Sequence, residues 1–219
     1  TEIKRQATTA HSFGLEMELL SPQEALKLWP LMDISDLAGA AFLPTDGQAN
    51  PADIAQSLAK GARNRGVRIV EETRVTGILV ENGRARGIRT ALGDIKAEVV
   101  VNCGGQWARQ IGALAGGSVP LQSVQHQYIV TEAVGAAKDL PTLRDPDRLI
   151  YFKEEVGGLV MGGYEHNPKP WLPDGETGDL PENFAFQLLE TDLEHFEPLM
   201  EQALARVPAL AKAGIKQVI

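Results

Sequence analysis

Val99-Val100-Val101-Asn102-Cys103-Gly104-Gly105-Gln106-Trp107-Ala108-Arg109-Gln110-Ile111 is the stretch on which the fold turns. Its three valines form a continuous apolar run, the kind a strand shows when both of its faces are covered, as in a parallel sheet. Gly104-Gly105 then lets the backbone turn tightly. Trp107, Ile111 and Leu114 follow at helical spacing, so a helix is expected from about Gln106. Strand, glycine turn and helix in series predict an α/β element.

The same segment has two uses. A glycine lets a ligand approach main chain, and a helix starting beside it turns free N–H groups and a positive dipole end outward, which would suit an anionic cofactor. Alternatively, Gly104-Gly105 only turns the chain and Trp107 packs in the core.

Upstream, Asn82-Gly83 sits between the strand-like runs Val75 to Val80 and Arg84 to Ala91, a strong hairpin signal. A second turn at Leu92-Gly93-Asp94 leads into a strand expected over 95–102. Asn50-Pro51-Ala52-Asp53 opens a helix with Asn as cap and Pro at the first position, and Ile54, Leu58 and Ala62 give it one apolar face. That helix should end at Gly66, with a short strand at Val67 to Val70 after it. Ser21-Pro22-Gln23-Glu24 has the spacing of a capping box.

Downstream of Pro120 the texture changes. Leu121 to Thr131, Leu149 to Lys153 and Leu159 to Tyr164 read as strands of an antiparallel sheet, the last two joined around Gly157-Gly158. Pro168, Pro170 and Pro173 mark an irregular loop. Residues 183–206 read as a helical stretch interrupted by Pro198. The fold class is therefore α/β with α+β character, a βα-type part joined to a more antiparallel one.

The chain has 219 residues, 43% of them hydrophobic types and 23% charged, which is a globular composition. Its 21 Lys+Arg against 29 Asp+Glu give a net charge of -8, which disfavours nucleic acid and anionic lipid as partners. Cys103 is the single cysteine, which excludes an intrachain disulfide and a multi-cysteine zinc site and suits a reducing compartment, so a cytoplasmic location is expected. The apolar runs fall far short of the ~20 residues of a membrane helix. The first residues, Thr-Glu-Ile-Lys-Arg-Gln, and the last, Ile-Lys-Gln-Val-Ile, suggest a piece of something longer.

Strong local catalytic signatures are absent: no G-x-S-x-G, no H-E-x-x-H, no Walker A and no G-x-G-x-x-G. His11, His126, His166 and His195 lie far apart, and no metal site is expected. Gln125-His126-Gln127-Tyr128 puts polar groups on both faces of an otherwise apolar strand, with His126 and Tyr128 on one face. That pair could supply a base near neutral pH and a phenol donor, or could be an exposed polar edge. Tyr151 and Tyr164 are weaker candidates and read as rim aromatics.

Taken together, Leu43-Pro44-Thr45-Asp46-Gly47-Gln48-Ala49-Asn50-Pro51, Gly66-Val67, Arg74-Val75-Thr76-Gly77, Val100 to Ala108 and Val124-Gln125-His126-Gln127-Tyr128 resemble the flavin-dependent amine dehydrogenases. Within the D-amino-acid oxidase superfamily the similarity is to the dimethylglycine and sarcosine dehydrogenase branch. The resemblance implies a two-lobed flavoprotein. Residues 1–42 would lead into the substrate lobe, residues 43–119 would form part of a Rossmann-like FAD lobe with its hairpin, and residues 120–219 would form part of an antiparallel substrate lobe. It implies FAD contacts at Val75, Asn102, Cys103, Gly104, Gly105 and Trp107, with Tyr128 and His126 as catalytic candidates.

The implied activity is oxidation of an N-methyl or secondary amino acid by hydride transfer to FAD, with an unspecified electron acceptor and a homo-oligomer as one possible assembly. The family's N-terminal glycine fingerprint and C-terminal glycine-rich FAD segment are not in this sequence. The fragment by itself is therefore expected to be inactive. A sibling flavoenzyme for another amine or a D-amino acid, and a non-catalytic module descended from the fold, are the alternatives.

Overall fold

The structure, a computed structural model, describes residues 2–219. The chain divides into two compact units, one comprising Thr1–Ala49, His126–Pro168 and Leu188–Ile219, the other Asn50–Gln125 and Lys169–Gln187.

The first unit contains α1 (Glu2–Ser12), β1 (Glu18–Leu20), α2 (Pro22–Leu28) and β2 (Ala40–Phe42), β1 and β2 being antiparallel partners. It also holds β6 (Tyr128–Thr131), β7 (Leu143–Asp145), β8 (Ile150–Glu155), β9 (Gly158–Gly163), α5 (Leu193–Arg206) and β10 (Ile215–Val218). The last five strands form one antiparallel sheet in the order β10-β6-β9-β8-β7. The helix-opening signal at Ser21 works as its sequence implies: the Ser21 side chain accepts the Glu24 N–H while the Glu24 carboxylate accepts the Ser21 N–H.

Register decides what each face of this sheet carries. Val218, Ile129, Met161, Phe152 and Leu143 stand opposite one another across all five strands. They share the core with Ala25 of α2, Trp29 at its C-terminal cap, and Phe196, Leu199 and Ala203 of α5. The Trp29 and Phe152 rings lie 5.6 Å apart, and the Trp29 indole N–H donates to the Pro141 carbonyl at 2.9 Å. The next row, Tyr128–Gly162–Tyr151–Arg144, must point the other way because strand side chains alternate. Only one face of the sheet is therefore apolar.

The second unit contains α3 (Pro51–Asn64), the sheet of β3 (Val75–Glu81), β4 (Arg84–Thr90) and β5 (Gly93–Lys96), and α4 (Ala108–Ala113) after one turn of 3₁₀ helix at Gly105–Trp107. Asn50 caps α3 by accepting the Ala52 and Asp53 N–H groups. Asn82 and Gly83 take φ of 50° and 73° at the β3–β4 turn, the conformation the hairpin needs.

The strand expected over Leu121 to Thr131 forms only from Tyr128, and three further expectations need correction. Val67 to Val70 and Val99 to Val101 form no strand, because among the described residues no other segment pairs with them, and a strand exists only through its ladder. Val99 and Val101 are each 74% exposed rather than covered on both faces. The long helix begins only at Leu193, where Asp192 accepts the His195 N–H, and it runs through Pro198 instead of breaking there.

Candidate active site

The open face of the five-stranded sheet gathers the polar groups of the first unit. Tyr128 on β6, Gly162 on β9, Tyr151 on β8 and Arg144 on β7 form one cross-strand row. Gly162 is small for a reason: a Cβ there would stand 2.3 Å from the Tyr151 hydroxyl and 3.0 Å from the Tyr128 Cβ. The Tyr151 ring thus lies across the gap that the glycine leaves.

His126 precedes β6 and meets this row. Its Nε2 is 3.3 Å from the Tyr151 hydroxyl and its Nδ1 is 3.3 Å from a Glu165 carboxylate oxygen. Its ring stacks on Tyr164 with centroids 6.2 Å apart, and Tyr164 in turn lies 5.8 Å from Tyr151. The Arg144 guanidinium sits 4.9 Å over the Tyr164 ring, a cation–π contact. Arg144 is exposed, and among the described residues no carboxylate pairs with it. Burial first, and then the neighbouring Tyr164, Tyr128 and Glu165, push the Tyr151 phenol above its usual range. Tyr151 therefore stays protonated through neutral pH and can donate its O–H.

Of the residues singled out in the sequence, His126 lies in this cluster and Tyr128 lies in its cross-strand row, but the hydroxyl that meets His126 is that of Tyr151. Gln127, on the other side of the chain, is structural: its side chain bonds the backbone of Asp192 and so ties β6 to the start of α5. Arg144 and Glu165 were not legible in the sequence. Both are placed by strand register and by a chain reversal, and neither sits in a local motif.

The second unit holds the segment that the resemblance assigns to the cofactor. The Asn102 side chain donates to the Ala108 carbonyl at 2.8 Å and accepts the Gly104 N–H at 3.1 Å, which folds the turn onto the helix start. The two glycines then differ. A Cβ at Gly104 would stand 2.3 Å from Ile111 Cδ1, so the glycine makes room for the tip of the Ile111 side chain. Gly105 has φ +54° and nothing within 4 Å of a Cβ, leaving its main chain open.

Trp107 donates its indole N–H to the Pro181 carbonyl at 3.0 Å, and Arg109 and Gln110 hold Asp179 and Leu180, so the 169–187 loop is fastened to α4. Cys103 is exposed, and Val75 begins β3 opposite Thr90. Val99, Val101, Asn102, Cys103 and Gly105 are exposed, which fits a dinucleotide lying against this segment. Among the described residues no group of three or more His, Cys, Asp or Glu could hold a metal ion.

Comparison with known proteins agrees with this architecture. The chain is 38% identical to human mitochondrial sarcosine dehydrogenase over its whole length and 32% identical to human mitochondrial dimethylglycine dehydrogenase. It is also 34% identical over 99% of its length to the mouse mitochondrial pyruvate dehydrogenase phosphatase regulatory subunit. It spans about a quarter of the length of these relatives, 24 to 26%. Among solved structures, the L-proline dehydrogenase of P. horikoshii matches 98% of the chain and 54% of its own with a TM-score of 0.77 at 27% identity. Glycine oxidase from Bacillus cereus shares the fold with a TM-score of 0.62 at 21% identity over 99% of this chain and 54% of its own.

The cytoplasmic expectation is overturned by these relatives, which are mitochondrial proteins. A lone free cysteine signals only a reducing environment, and that criterion does not separate the two compartments. The DAO family, described as FAD dependent oxidoreductase, matches residues 1–218, and the chain belongs to it.

Proposed function

We propose that this chain is part of a mitochondrial flavoenzyme that oxidises an N-methyl or secondary amino acid of the sarcosine and dimethylglycine type. The observation that carries the reading is the contact of His126 with Tyr151 on the open face of a sheet whose other face is core. In this reading the unit with β3, β4 and β5 contributes to the FAD lobe, through Val75, Asn102, Cys103, Gly104, Gly105 and Trp107. The unit with the five-stranded sheet contributes to the substrate lobe.

FAD, when bound, supplies the acceptor for the hydride equivalent that leaves the substrate C–H bond. The amine must first be neutral, because a protonated nitrogen has no lone pair to develop into an imine. Tyr151 is arranged to take that proton while passing its own to His126 Nε2, so one proton moves from substrate nitrogen to imidazole. Tyr128, in the same row, presents a second phenol to the substrate, and the unpaired Arg144 provides a cation for the carboxylate. Water then hydrolyses the imine. Such a positioned base is worth about 10²- to 10⁴-fold.

The test uses the full-length protein. Purified material should carry flavin absorbance, and anaerobic sarcosine or dimethylglycine should bleach it; Tyr128→Phe should lower turnover at least tenfold. A flavoprotein reduced only by D-amino acids would mark a sibling substrate class. The similarity to a phosphatase regulatory subunit supports a second reading, a non-catalytic assembly module. Flavin that no amine in a broad panel reduces would favour that reading and refute the first.

A further inference from the structure

Glu165 is a buried acid without a cation. Its side chain is 8% exposed, and among the described residues its polar partner is His126 alone. Burying a carboxylate is costly unless something donates to it, so its placement beside an imidazole calls for an account. An ionised carboxylate can only accept, and a neutral imidazole has one N–H and one bare nitrogen. If Glu165 accepts from Nδ1, the N–H is fixed there and Nε2 is bare, facing the Tyr151 hydroxyl at 3.3 Å. The polarity of the whole chain of contacts, from Glu165 to His126 to Tyr151, then follows from one residue.

We propose that Glu165 is a positioning residue that holds His126 in its Nδ1–H tautomer, so that Nε2 accepts the Tyr151 hydroxyl proton. This deepens the amine-oxidation reading and rests on it for its purpose, but not for its measurement. The other groups facing His126 do not set the tautomer: Tyr164 contributes a ring face, Arg144 reaches only the Tyr164 ring, and Tyr151 can either donate or accept. The opposite polarity, a neutral Glu165 donating to Nδ1, would place the imidazole proton on Nε2 and reverse the role of Tyr151.

The decisive measurement is the solid-state ¹⁵N spectrum of the full-length protein labelled with ring-¹⁵N histidine, taken at a pH where His126 is neutral, with His126→Gln subtracted to isolate the His126 signals. Wild type should show Nδ1 protonated and Nε2 bare. Glu165→Gln, whose amide oxygen still accepts, should keep that pattern, whereas Glu165→Leu should lose it and lower kcat at least tenfold with KM changed less than threefold. An Nε2–H tautomer in wild type, or an unchanged tautomer in Glu165→Leu, overturns the proposal. If Glu165→Leu does not fold, the wild-type spectrum alone still decides the polarity. If no amine is turned over, the spectra still decide the role of Glu165 and only the amine-oxidation reading falls.

Discussion

Adding one methyl group at Gly162 tests whether the His126–Tyr151 contact is a working part of the protein. A Cβ there would stand 2.3 Å from the Tyr151 hydroxyl, 2.5 Å from its Cζ and 3.0 Å from the Tyr128 Cβ. Carbon contacts settle near ~3.5 Å, so the phenol must move by roughly 1 Å. It cannot do so and keep its partner. The hydroxyl is already 3.3 Å from His126 Nε2, close to the limit of a hydrogen bond. Withdrawal from His126 breaks the bond, and an equal move toward it would drive the two atoms into collision.

The cost in stability is small by comparison. Overpacking typically costs about 1–3 kcal/mol. Gly162 does not have a positive φ, so alanine returns about 0.4–1 kcal/mol through the unfolded state. With Tyr151 only half buried and able to yield, a net loss near 1 kcal/mol is expected, or about 2–4 °C in melting temperature for a protein of this size. Turnover of the full-length Gly162→Ala enzyme should nevertheless fall at least tenfold, matching Tyr151→Phe, which removes the hydroxyl without crowding. The assays are thermal unfolding and steady-state amine oxidation on both variants. A Gly162→Ala enzyme with kcat within twofold of wild type would refute the reasoning, since no position of the phenol satisfies both neighbours.

Three other perturbations separate packing from recognition. Arg206 is 4% exposed and bonds Asp145 at 2.8 Å as well as Asp36 and the Asp33 carbonyl. Arg206→Leu leaves the Asp145 carboxylate only the Arg148 N–H and a 3.8 Å contact with the Arg148 guanidinium, and should cost about 3 kcal/mol by urea unfolding, part of it recovered in Arg206→Leu/Asp145→Leu. In the same network the hydrogen bond from Arg148 holds Asp36 below the ordinary carboxylate range, and that from Ser35 does so for Asp33. Carboxylates depressed in the folded state add stability that is complete above their unfolded value near ~3.9 and drains as pH falls below it. The urea midpoint should therefore drop between pH 5 and pH 2.5, and by less in Asp36→Asn. Finally, Gly104→Ala should lower the melting temperature by displacing Ile111, whereas Gly105→Ala should cost only about 1 kcal/mol of left-handed strain yet release flavin from the full-length protein.

The sequence was most informative where a signal was local. Ser21 and Glu24, Asn50 and Pro51, and Asn82-Gly83 each settle their own hydrogen bonds within four residues, and each lies in the structure as its chemistry requires. The misreadings share a cause of the opposite kind. Val99 to Val101 has the composition of a covered strand, but composition cannot supply the neighbour whose N–H and C=O groups make a strand. Residues 183–191 have a helical composition, but the cap that is used is Asp192, which accepts the His195 N–H.

The site was half legible for the same reason. His126 and Tyr128 stand out as polar residues beside an apolar run, a pattern visible within four positions, although the strand itself begins only at Tyr128. Tyr151, Gly162 and Arg144 become neighbours of that strand only through the pairing of β6 with β9, β9 with β8 and β8 with β7. That pairing is fixed from the other side of the sheet. A one-residue slip of β8 would turn Phe152 outward and Tyr151 into the space between Trp29 and Met161, exchanging a buried ring for a phenol with no partner there. The apolar row Ile129–Met161–Phe152–Leu143 thus sets the register, and the register delivers the polar row one residue away. Disturbing the core pairing should therefore displace the His126–Tyr151 contact before it unfolds the protein.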